Sequence, residues 1–274
     1  MSDAIFQLLK NRAVIAVSGE DRFSFLQGLI TNDVNSISHS GLLYALMLTP
    51  QGKFLYDFFL ISDGDRILLD HESIFTQEIL KKLTMYKLRS DVKFIDVTDE
   101  YNIVFLSKHL DYNNILKDRR HEKLCYRGYI KKIDFSFFVE SYGLIEATGR
   151  YEQIIYENTI PEPHKDMIRD KSFPIEYAMD EFHAISFTKG CYLGQENISR
   201  TKYRGTVRKK LMKFVCDQEI TGVDIGEEIS FGDIKVGVYC SSWGKLGKAL
   251  MRIEDIAKCG SHDLKLSRYN IQIV

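Results

Sequence analysis

The part of the chain after Arg208 constrains the fold most strongly, because its apolar runs are short and glycine-containing turns separate them. β-type runs of this kind cover residues 211–216, 234–241, 248–253 and 271–274. Short strands at such spacing, joined by tight turns, are typical of a small antiparallel barrel. We therefore predict a β-barrel domain over residues 209–274.

Residues 1–208 have a different pattern, in which β-type runs alternate with helical periodicity. The predicted strands cover residues 13–17, 42–48, 53–61, 66–70, 94–97 and 103–106, a segment around Tyr129, and residues 135–139. The predicted helices cover residues 23–30, 73–86 and 151–158. Neither G-x-x-x-x-G-K nor G-x-G-x-x-G occurs, which excludes the common phosphate-binding and dinucleotide-binding loops. We expect an α+β region made of two parts that divide near residue 90.

Composition and charge exclude several functional classes. The 274 residues are 45% hydrophobic and 27% charged, the balance of an ordinary globular protein. Lys and Arg number 37 against 38 Asp and Glu, so no global basic field attracts nucleic acid, and we expect no specific nucleic-acid binding. No apolar run approaches the roughly 18 residues of a transmembrane helix, and we expect no membrane partner.

The amino-terminal residues, MSDAIFQLLKNRAVIAV, bear on localisation. They have no basic region ahead of the apolar stretch and no small-residue cleavage site, both of which a secretory signal peptide would need. They also lack the Arg-rich, acid-poor composition of a mitochondrial transit peptide. We therefore predict that the protein is cytoplasmic.

The five cysteines bear on disulfides and metals. They are Cys125, Cys191, Cys216, Cys240 and Cys259. Their odd number, their wide spacing and the lack of a C-x-x-C pattern argue against a disulfide framework and against a zinc ribbon. We expect reduced thiols and no metal site formed by this chain alone.

Residues 189–200, KGCYLGQENISR, bring together the side chains with the most reactive chemistry. Cys191 follows Lys189 by two residues, and the sequence from Gly194 onward predicts a turn that leads into a helix. A nearby cation and a helix N-terminus both lower the pKa of a thiol and favour its thiolate form. We predict that Cys191 is a functional thiol assisted by Lys189; the alternative is a small buried side chain with a packing role.

The other residues of this motif have two interpretations each. Gly190 and Gly194 are either turn glycines or positions where a side chain would block the approach of a ligand or partner. Gln195 and Glu196 either stabilise the first turn of the helix or contact a bound ligand. Glu196 lies four residues before Arg200, a spacing at which the two side chains can form an ion pair.

A basic run begins at the end of the motif. Its members are Arg200, Lys202, Arg204, Arg208, Lys209 and Lys210. Such a run is usually a solvated surface, but it can also bind an anionic ligand tail or an acidic partner protein.

These residues carry a family resemblance. The pattern K-G-C-[FY]-x-G-Q-E-x-x-x-R is matched at every specified position from Lys189 to Arg200. Similar blocks occur at residues 22–34, 49–60, 173–187 and 236–253. The chain thus resembles, over most of its length, the YgfZ family, which includes mitochondrial iron–sulfur assembly factors.

The resemblance implies a fold and a function, which are expectations at this point. It implies the α+β architecture of the glycine-cleavage T-protein, with two intertwined α/β-type domains and a small carboxy-terminal antiparallel β-barrel around a central channel. It implies that the chain binds tetrahydrofolate and supports the assembly or repair of four-iron clusters in client enzymes. The implied partners are iron–sulfur carrier or client proteins and the folate itself. A transient iron–sulfur cluster shared with such a partner is a second implied cofactor.

The resemblance and the motif also nominate residues for cofactor binding. The candidates are Asn32, Asp33, Glu157, Gly190, Tyr192, Gly194, Gln195, Glu196 and Arg200. The family places the loop of Asn32 and Asp33 at the mouth of the channel. T-proteins carry R-x-E-x-G where this chain has IYENT, so Glu157 keeps the acidic residue while Ile155 and Thr159 replace the arginine and the glycine.

Three functions are open at this stage. The first is an accessory protein for iron–sulfur cluster assembly that acts through Cys191 and is not a conventional enzyme. The second is an enzyme, a folate-dependent aminomethyltransferase like the T-protein. The third is a folate-sensing interaction module in which Cys191 is structural. Loss of clusters from client enzymes on deletion would support the first function. Transfer of an aminomethyl group from a lipoyl carrier would support the second, and normal function of Cys191→Ser would support the third.

Overall fold

A computed structural model gives the structure of the protein and describes residues 4–274. Two compact units divide the chain between them. The first contains the residues up to Leu48 together with Tyr56–Tyr151 and His183–Leu193. The second contains Thr49–Leu55, Glu152–Phe182 and Gly194–Val274. Each unit therefore gathers stretches that are distant in sequence.

The strands and helices have the following bounds. The strands are β1 Ile5–Leu8, β2 Arg12–Ser18, β3 Leu43–Leu48, β4 Phe54–Asp63, β5 Arg66–Glu72, β6 Lys93–Asp96, β7 Tyr101–Leu106, β8 Ile115–Lys117, β9 Tyr126–Lys131, β10 Ile145–Glu146, β11 Lys209–Cys216, β12 Glu228–Phe231, β13 Ile234–Trp243, β14 Leu246–Arg252, β15 Leu264–Leu266 and β16 Tyr269–Ile273. The α-helices are α1 Arg22–Leu29, α2 Ile37–Ser40, α3 Thr76–Lys87, α4 Phe135–Ser141, α5 Arg150–Glu157, α6 Pro163–Asp166, α7 Gln195–Arg204 and α8 Ile253–Cys259.

The first sheet has the strand order β3-β4-β5-β2-β6. Its strand β2 has the sequence RAVIAVS and pairs with β5 on one side and β6 on the other, both antiparallel. The five central residues of β2 are all buried, which is why that strand is continuously apolar instead of alternating. The strands and helices predicted between residues 13 and 97 are confirmed to within a few residues.

The second sheet has the order β10-β1-β7-β9-β8, so β1 pairs with β7 and β10, which begin about 100 and 140 residues later in the chain. β1 is antiparallel to β7 and parallel to β10. A hydrophobic core that includes Phe6, Val104, Ile130 and Phe138 packs against this sheet. Strand β1 is thereby fixed to the later part of the unit.

One predicted strand is wrong. Residues 135–139 lie in helix α4, and their sequence predicted a strand because Phe and Val favour strands. Phe138 is buried and Phe135 and Val139 pack against the same core, whereas Phe137 is 75% exposed. This spacing of three and four residues is helical, and a short apolar run does not distinguish the two structures by periodicity alone.

The carboxy-terminal strands form a closed barrel of order β11-β14-β13-β12-β15-β16, completed by pairing of β11 with β16. Its first strand begins at Lys209 and its core includes Phe214, Ile229 and Met251. Gly247 is required inside it, because a Cβ there would lie 2.1 Å from the ring of Phe214. The predicted antiparallel barrel is confirmed, and β12 and β15 are strands that the sequence did not reveal. Within residues 4–274, no helix is both long and apolar enough to cross a membrane.

Candidate functional site

The segment that carries Cys191 lies against the end of helix α1 in the first unit. Leu193 donates its backbone N–H to the carbonyl of Gly28 at 3.0 Å. The hydroxyl of Thr31 donates to the carbonyl of Ala184 at 2.6 Å, and the N–H of Ser186 donates to the carbonyl of Thr31 at 2.9 Å. These bonds join the loop after α1 to residues 184–193 although the two are far apart in sequence.

Lys189 is the strongest link between the two segments. Its Nζ donates to the backbone carbonyls of Gln27, Ile30 and Asn32 at 2.7, 2.8 and 2.9 Å. An ammonium group has three N–H donors, so all of them are used. Burial lowers the pKa of Lys189 to about 8, which Asp33 partly offsets, so the group is mainly charged at neutral pH. This geometry makes Lys189 a positioning residue, and its assistance to the Cys191 thiol stays a prediction.

The residues next to Lys189 have contrasting environments. Cys191 is exposed, which excludes for it the buried packing role that was the alternative interpretation. Tyr192 is buried, and the Nζ of Lys189 lies 5.1 Å from the centroid of its ring. The hydroxyl of Tyr192 is buried without a hydrogen-bond partner among the described residues. The loop therefore turns one side chain inward and displays the thiol.

Gly190 is exposed and is not required by the fold. A Cβ added there would have no neighbour within 4 Å in the described part of the chain, and the backbone is not in the left-handed region. Gly194 differs, because it has a φ of 85° and caps the N-terminus of α7 in the second unit. The turn interpretation thus holds for Gly194, while no contact among residues 4–274 explains the glycine beside the thiol.

Asn32 and Asp33 were predicted to bind the cofactor, but their side chains form hydrogen bonds within and around their own loop. The amide nitrogen of Asn32 donates to the carbonyls of Tyr44 and His183, each at 2.8 Å, and its Oδ1 accepts from the N–H of Asp33. The Oδ1 of Asp33 accepts from the side chain of Gln27 at 3.0 Å and from the backbone and side chain of Asn35. Both side chains therefore stabilise the loop to which Lys189 donates its hydrogen bonds.

A cleft of about 730 Å³ opens beside this loop, within the first unit. Asn32 and His183 line one part of it, and Tyr44, Phe59 and Arg120 line another. The rings of Tyr44 and Phe59 are 4.6 Å apart, and the guanidinium carbon of Arg120 lies 4.5 Å from the centroid of Phe59. Further charged or imidazole side chains around the cleft are His39, Lys117, Asp118, Arg119, His121 and Glu122.

Arg120 is held rigidly in this cleft. It donates to both carboxylate oxygens of Asp118, with the shortest N–O distance 2.7 Å, and to the hydroxyl of Tyr151 at 2.8 Å. The pair with Asp118 is buried, so solvent screens it little. The aromatic and cationic lining is therefore preorganised.

A buried cluster of charged side chains packs against the aromatic wall of the cleft. Arg12 and Arg127 each donate to one carboxylate oxygen of Asp70, at 2.6 and 2.7 Å, and the hydroxyl of Tyr129 also donates to Asp70, at 2.8 Å. Burial alone would raise the pKa of Asp70, but the two guanidinium groups outweigh it and lower that pKa. The guanidinium carbon of Arg127 lies 4.1 Å from the centroid of Phe59, so the cluster holds the aromatic wall of the cleft.

Asp57 is a buried acid that the sequence analysis missed. It lies in strand β4, and its carboxylate accepts from the hydroxyl of Tyr44 at 3.2 Å. Burial raises its pKa, and the charges of Arg12 and Arg120 oppose the rise. An aspartate within the apolar run FLYDFFL was a visible clue, because an acid rarely lies inside a buried strand without partners.

The remaining nominated residues lie in the second unit. Gln195 and Glu196 form the first turn of α7, and the side chain of Asn197 fixes that turn by donating to the carbonyl of Gln51 at 2.9 Å. Glu196 and Arg200 are exposed, and they do not form the expected ion pair or any other within residues 4–274.

Glu157, the acid retained in the IYENT window, is also in the second unit. It ends helix α5 with an exposed side chain that accepts from the side chain of Gln153 at 2.8 Å. Ile155, which replaces the arginine of that window, is fully buried. The acid at this position thus has a partner within its own helix.

The chain is similar to known proteins in sequence and in structure. No family model matches the chain. A protein of Mycosarcoma maydis named as a mitochondrial homolog of the iron–sulfur cluster assembly factor IBA57 is 30% identical over 224 residues, which cover 74% of this chain and 55% of that protein. The mitochondrial iron–sulfur cluster assembly factor IBA57 of Homo sapiens is 27% identical over 278 residues, 90% of this chain and 77% of that protein. The glycine cleavage system aminomethyltransferase T from Bartonella henselae matches in structure with a TM-score of 0.73 and 12% identity, covering 99% of this chain and 85% of the other.

These matches confirm the predicted fold and correct the predicted localisation. The likeness to the Bartonella structure shows that the chain has the fold of a glycine-cleavage T-protein. The match spans only about half the length of the Mycosarcoma relative. The prediction of a cytoplasmic protein is wrong, since the curated relatives are mitochondrial and point to the mitochondrion.

We predict that Lys189→Met destabilises the protein by about 2–4 kcal/mol, because it leaves three carbonyls without their donor. The free energy of unfolding from urea titration measures this loss. Lys81→Met is the matched control, since Lys81 is exposed on α3 and its replacement should change the free energy by less than about 0.5 kcal/mol. Equal effects of the two substitutions would contradict the anchoring role.

Proposed function

The homologues of this chain are iron–sulfur cluster assembly factors, and we propose that the chain itself assists the assembly or repair of iron–sulfur clusters in client enzymes. Four-iron clusters are the proposed cargo, and the thiol of Cys191 is the group through which the chain acts. The observation that carries the proposal is the exposed thiol on a loop that the buried ammonium of Lys189 anchors.

Cys191 is the most suitable thiol of the chain for this role. Cys216 and Cys240 are buried, and burial raises the pKa of both. Burial also raises the pKa of Cys125. Thiolates are the form that binds iron, so these three are poorer ligands than an exposed cysteine.

Gly190 supports the approach of another molecule to this thiol. Since a Cβ at that position would contact no residue that the structure describes, the glycine leaves open space beside the thiol. A side chain there would stand between Cys191 and a docked partner. This favours a thiol that meets a second protein over one that serves the fold.

A cluster at Cys191 would need further ligands from elsewhere. Among residues 4–274, no group of three or more His, Cys, Asp or Glu side chains is placed to hold a metal ion. Clusters of this kind are generally bound by about four cysteine ligands. We therefore propose that Cys191 supplies one ligand to a transient cluster and that a carrier or client protein supplies the others.

Tetrahydrofolate binding in the cleft of the first unit is the second part of the proposal. The residues present fit such a group: the rings of Tyr44 and Phe59 line the cleft and offer aromatic contact to a heterocycle, and Lys117 and Arg119 offer charge to a carboxylate tail. The cleft volume of about 730 Å³ is in the range of small-molecule sites. A bound folate would supply one-carbon chemistry, while Arg120 and its carboxylate partner Asp118 would orient it.

Complementation of a strain that lacks this protein tests the role of the thiol. Cys191→Ser should reduce the activity of four-iron enzymes to the level of the deletion, because serine is a poor iron ligand. Cys259→Ser, at a half-buried position in α8, should restore activity as the wild type does. Immunoblotting establishes equal protein levels. Full activity of Cys191→Ser would refute the proposed function and favour a structural cysteine.

Calorimetric titration with tetrahydrofolate tests the cleft separately. The double variant Lys117→Glu, Arg119→Glu should weaken binding roughly three- to tenfold, since two exposed charges change sign and each is worth about 0.2–1 kcal/mol. Lys81→Glu, Arg89→Glu changes the net charge equally at exposed positions away from the cleft lining, and it should leave the affinity unchanged. Absence of binding at millimolar folate would remove the folate from the account.

A further inference from the structure

Helix α7 of the second unit has two faces of different character. Ile198 is its buried residue, and Asn197 and Thr201 lie on the same inner side. Glu196, Arg200 and Tyr203 follow one another at spacings of four and three residues, so they share the opposite face, and Arg204 borders it. All four of these are exposed, Tyr203 to 70%.

Some cations in and after α7 form ion pairs with acidic residues, and others do not. Lys202 forms an ion pair with Asp180 at 2.5 Å, and Lys209 forms one with Glu176 at 3.5 Å. Arg200, Arg204, Arg208 and Lys210 are the cations of the region that make no ion pair with any residue from 4 to 274.

The unpaired acidic residues nearby do not cancel this charge. They are Glu196 on the outer face of α7, Glu181 in the groove beside the helix, and Glu254, which follows a residue bonded to the carbonyl of Arg208; none of the three forms an ion pair within the described residues. Four unpaired cations against three unpaired anions leave a small local excess of positive charge on a chain whose net charge is −1. This surface therefore has positively charged groups available for an acidic partner.

Stability of the helix explains only part of this arrangement. A cation in the last turn interacts favourably with the helix dipole, and Lys202 and Arg204 are so placed. Arg200 is one turn earlier, and Arg208 lies beyond the helix end, where the effect of the dipole is lost. Exposed arginines around an exposed tyrosine are instead typical of protein interfaces, where these two residue types are enriched.

We propose that this surface, which we call the α7 basic face (Arg200, Tyr203, Arg204 and Arg208), docks an acidic surface of a folded iron–sulfur protein. The inference rests on the proposed function and names the partner of the same site, since α7 begins four residues after Cys191 in the chain. The arginines pair with carboxylates of the partner, and Tyr203 supplies apolar contact area between them. A partner docked here lies against the segment that directly follows the thiol in the chain.

A photo-crosslinking amino acid tests the docking directly. The benzophenone-bearing analogue of phenylalanine replaces Tyr203 in the full chain, in cells that lack their own copy, and mass spectrometry identifies the crosslinked molecules. We expect iron–sulfur proteins of negative net charge. The triple variant Arg200→Glu, Arg204→Glu, Arg208→Glu should reduce their yield about tenfold or more, because like charges then face each other.

A charge-matched control separates the effect of where the charges lie from the effect of the change in net charge. Lys81→Glu, Arg89→Glu, Lys93→Glu reverses three exposed cations of the first unit and should change the yield less than about twofold. The same crosslinker at Ile133, which is 90% exposed, should not capture the same proteins. Thermal unfolding checks that the triple variant is folded; if it is not, Arg208→Glu alone, outside the helix, replaces it and should lower the yield measurably.

Three results would overturn the proposal. They are an unchanged yield in the charge-reversed variants, capture of nucleic acid or lipid in place of protein, and capture only of a second copy of this chain. If Cys191→Ser still abolishes client activity in any of these cases, the docking surface fails while the proposed function stands. Full activity of Cys191→Ser removes the proposed function itself, whatever Tyr203 captures.

Discussion

The interaction on which the site depends is the burial of one ammonium group among three backbone carbonyls. Removing an ammonium ion from water costs several kcal/mol, so Lys189 is stable in this place only because its three donors all find acceptors at 2.7–2.9 Å. The acceptors belong to the end of α1 and the loop after it, while the lysine belongs to a segment more than 150 residues later. One side chain thus fixes a displayed cysteine to a rigid part of the first unit.

The cleft beside this loop depends on a second set of buried charges. Asp70 accepts from Arg12, Arg127 and Tyr129, and this set holds Phe59 in the wall of the cleft. Removing one partner would strand a buried charge, at a cost of about 3–5 kcal/mol. Such a cluster gives the first unit little net stability over an apolar core but fixes positions closely. The loop and the cleft are therefore built from the same kind of interaction.

The sequence predicted the architecture better than the contacts of the site. Continuous apolar runs such as β2, and short runs between glycines after Arg208, have periods that identify strands, whereas the run at α4 was too short to distinguish a helix from a strand. The motif identified Cys191, but the prediction that Lys189 assists the thiol came only from their spacing in the sequence. Its actual partners are carbonyls brought near by the fold, and no local pattern encodes such long-range contacts. The burial of Asp57 and the paired and unpaired cations around α7 likewise depend on tertiary structure.

The fold exposes Cys191 and buries Cys216 and Cys240, and alkylation of the native protein measures this difference. Iodoacetamide labelling followed by mass spectrometry gives the rate at each of the five cysteines. The account predicts that exposed Cys191 reacts at least about tenfold faster than buried Cys216 and Cys240, and that the difference disappears in denaturing urea. Labelling of Cys191 no faster than that of Cys216 and Cys240 in the native protein would contradict it.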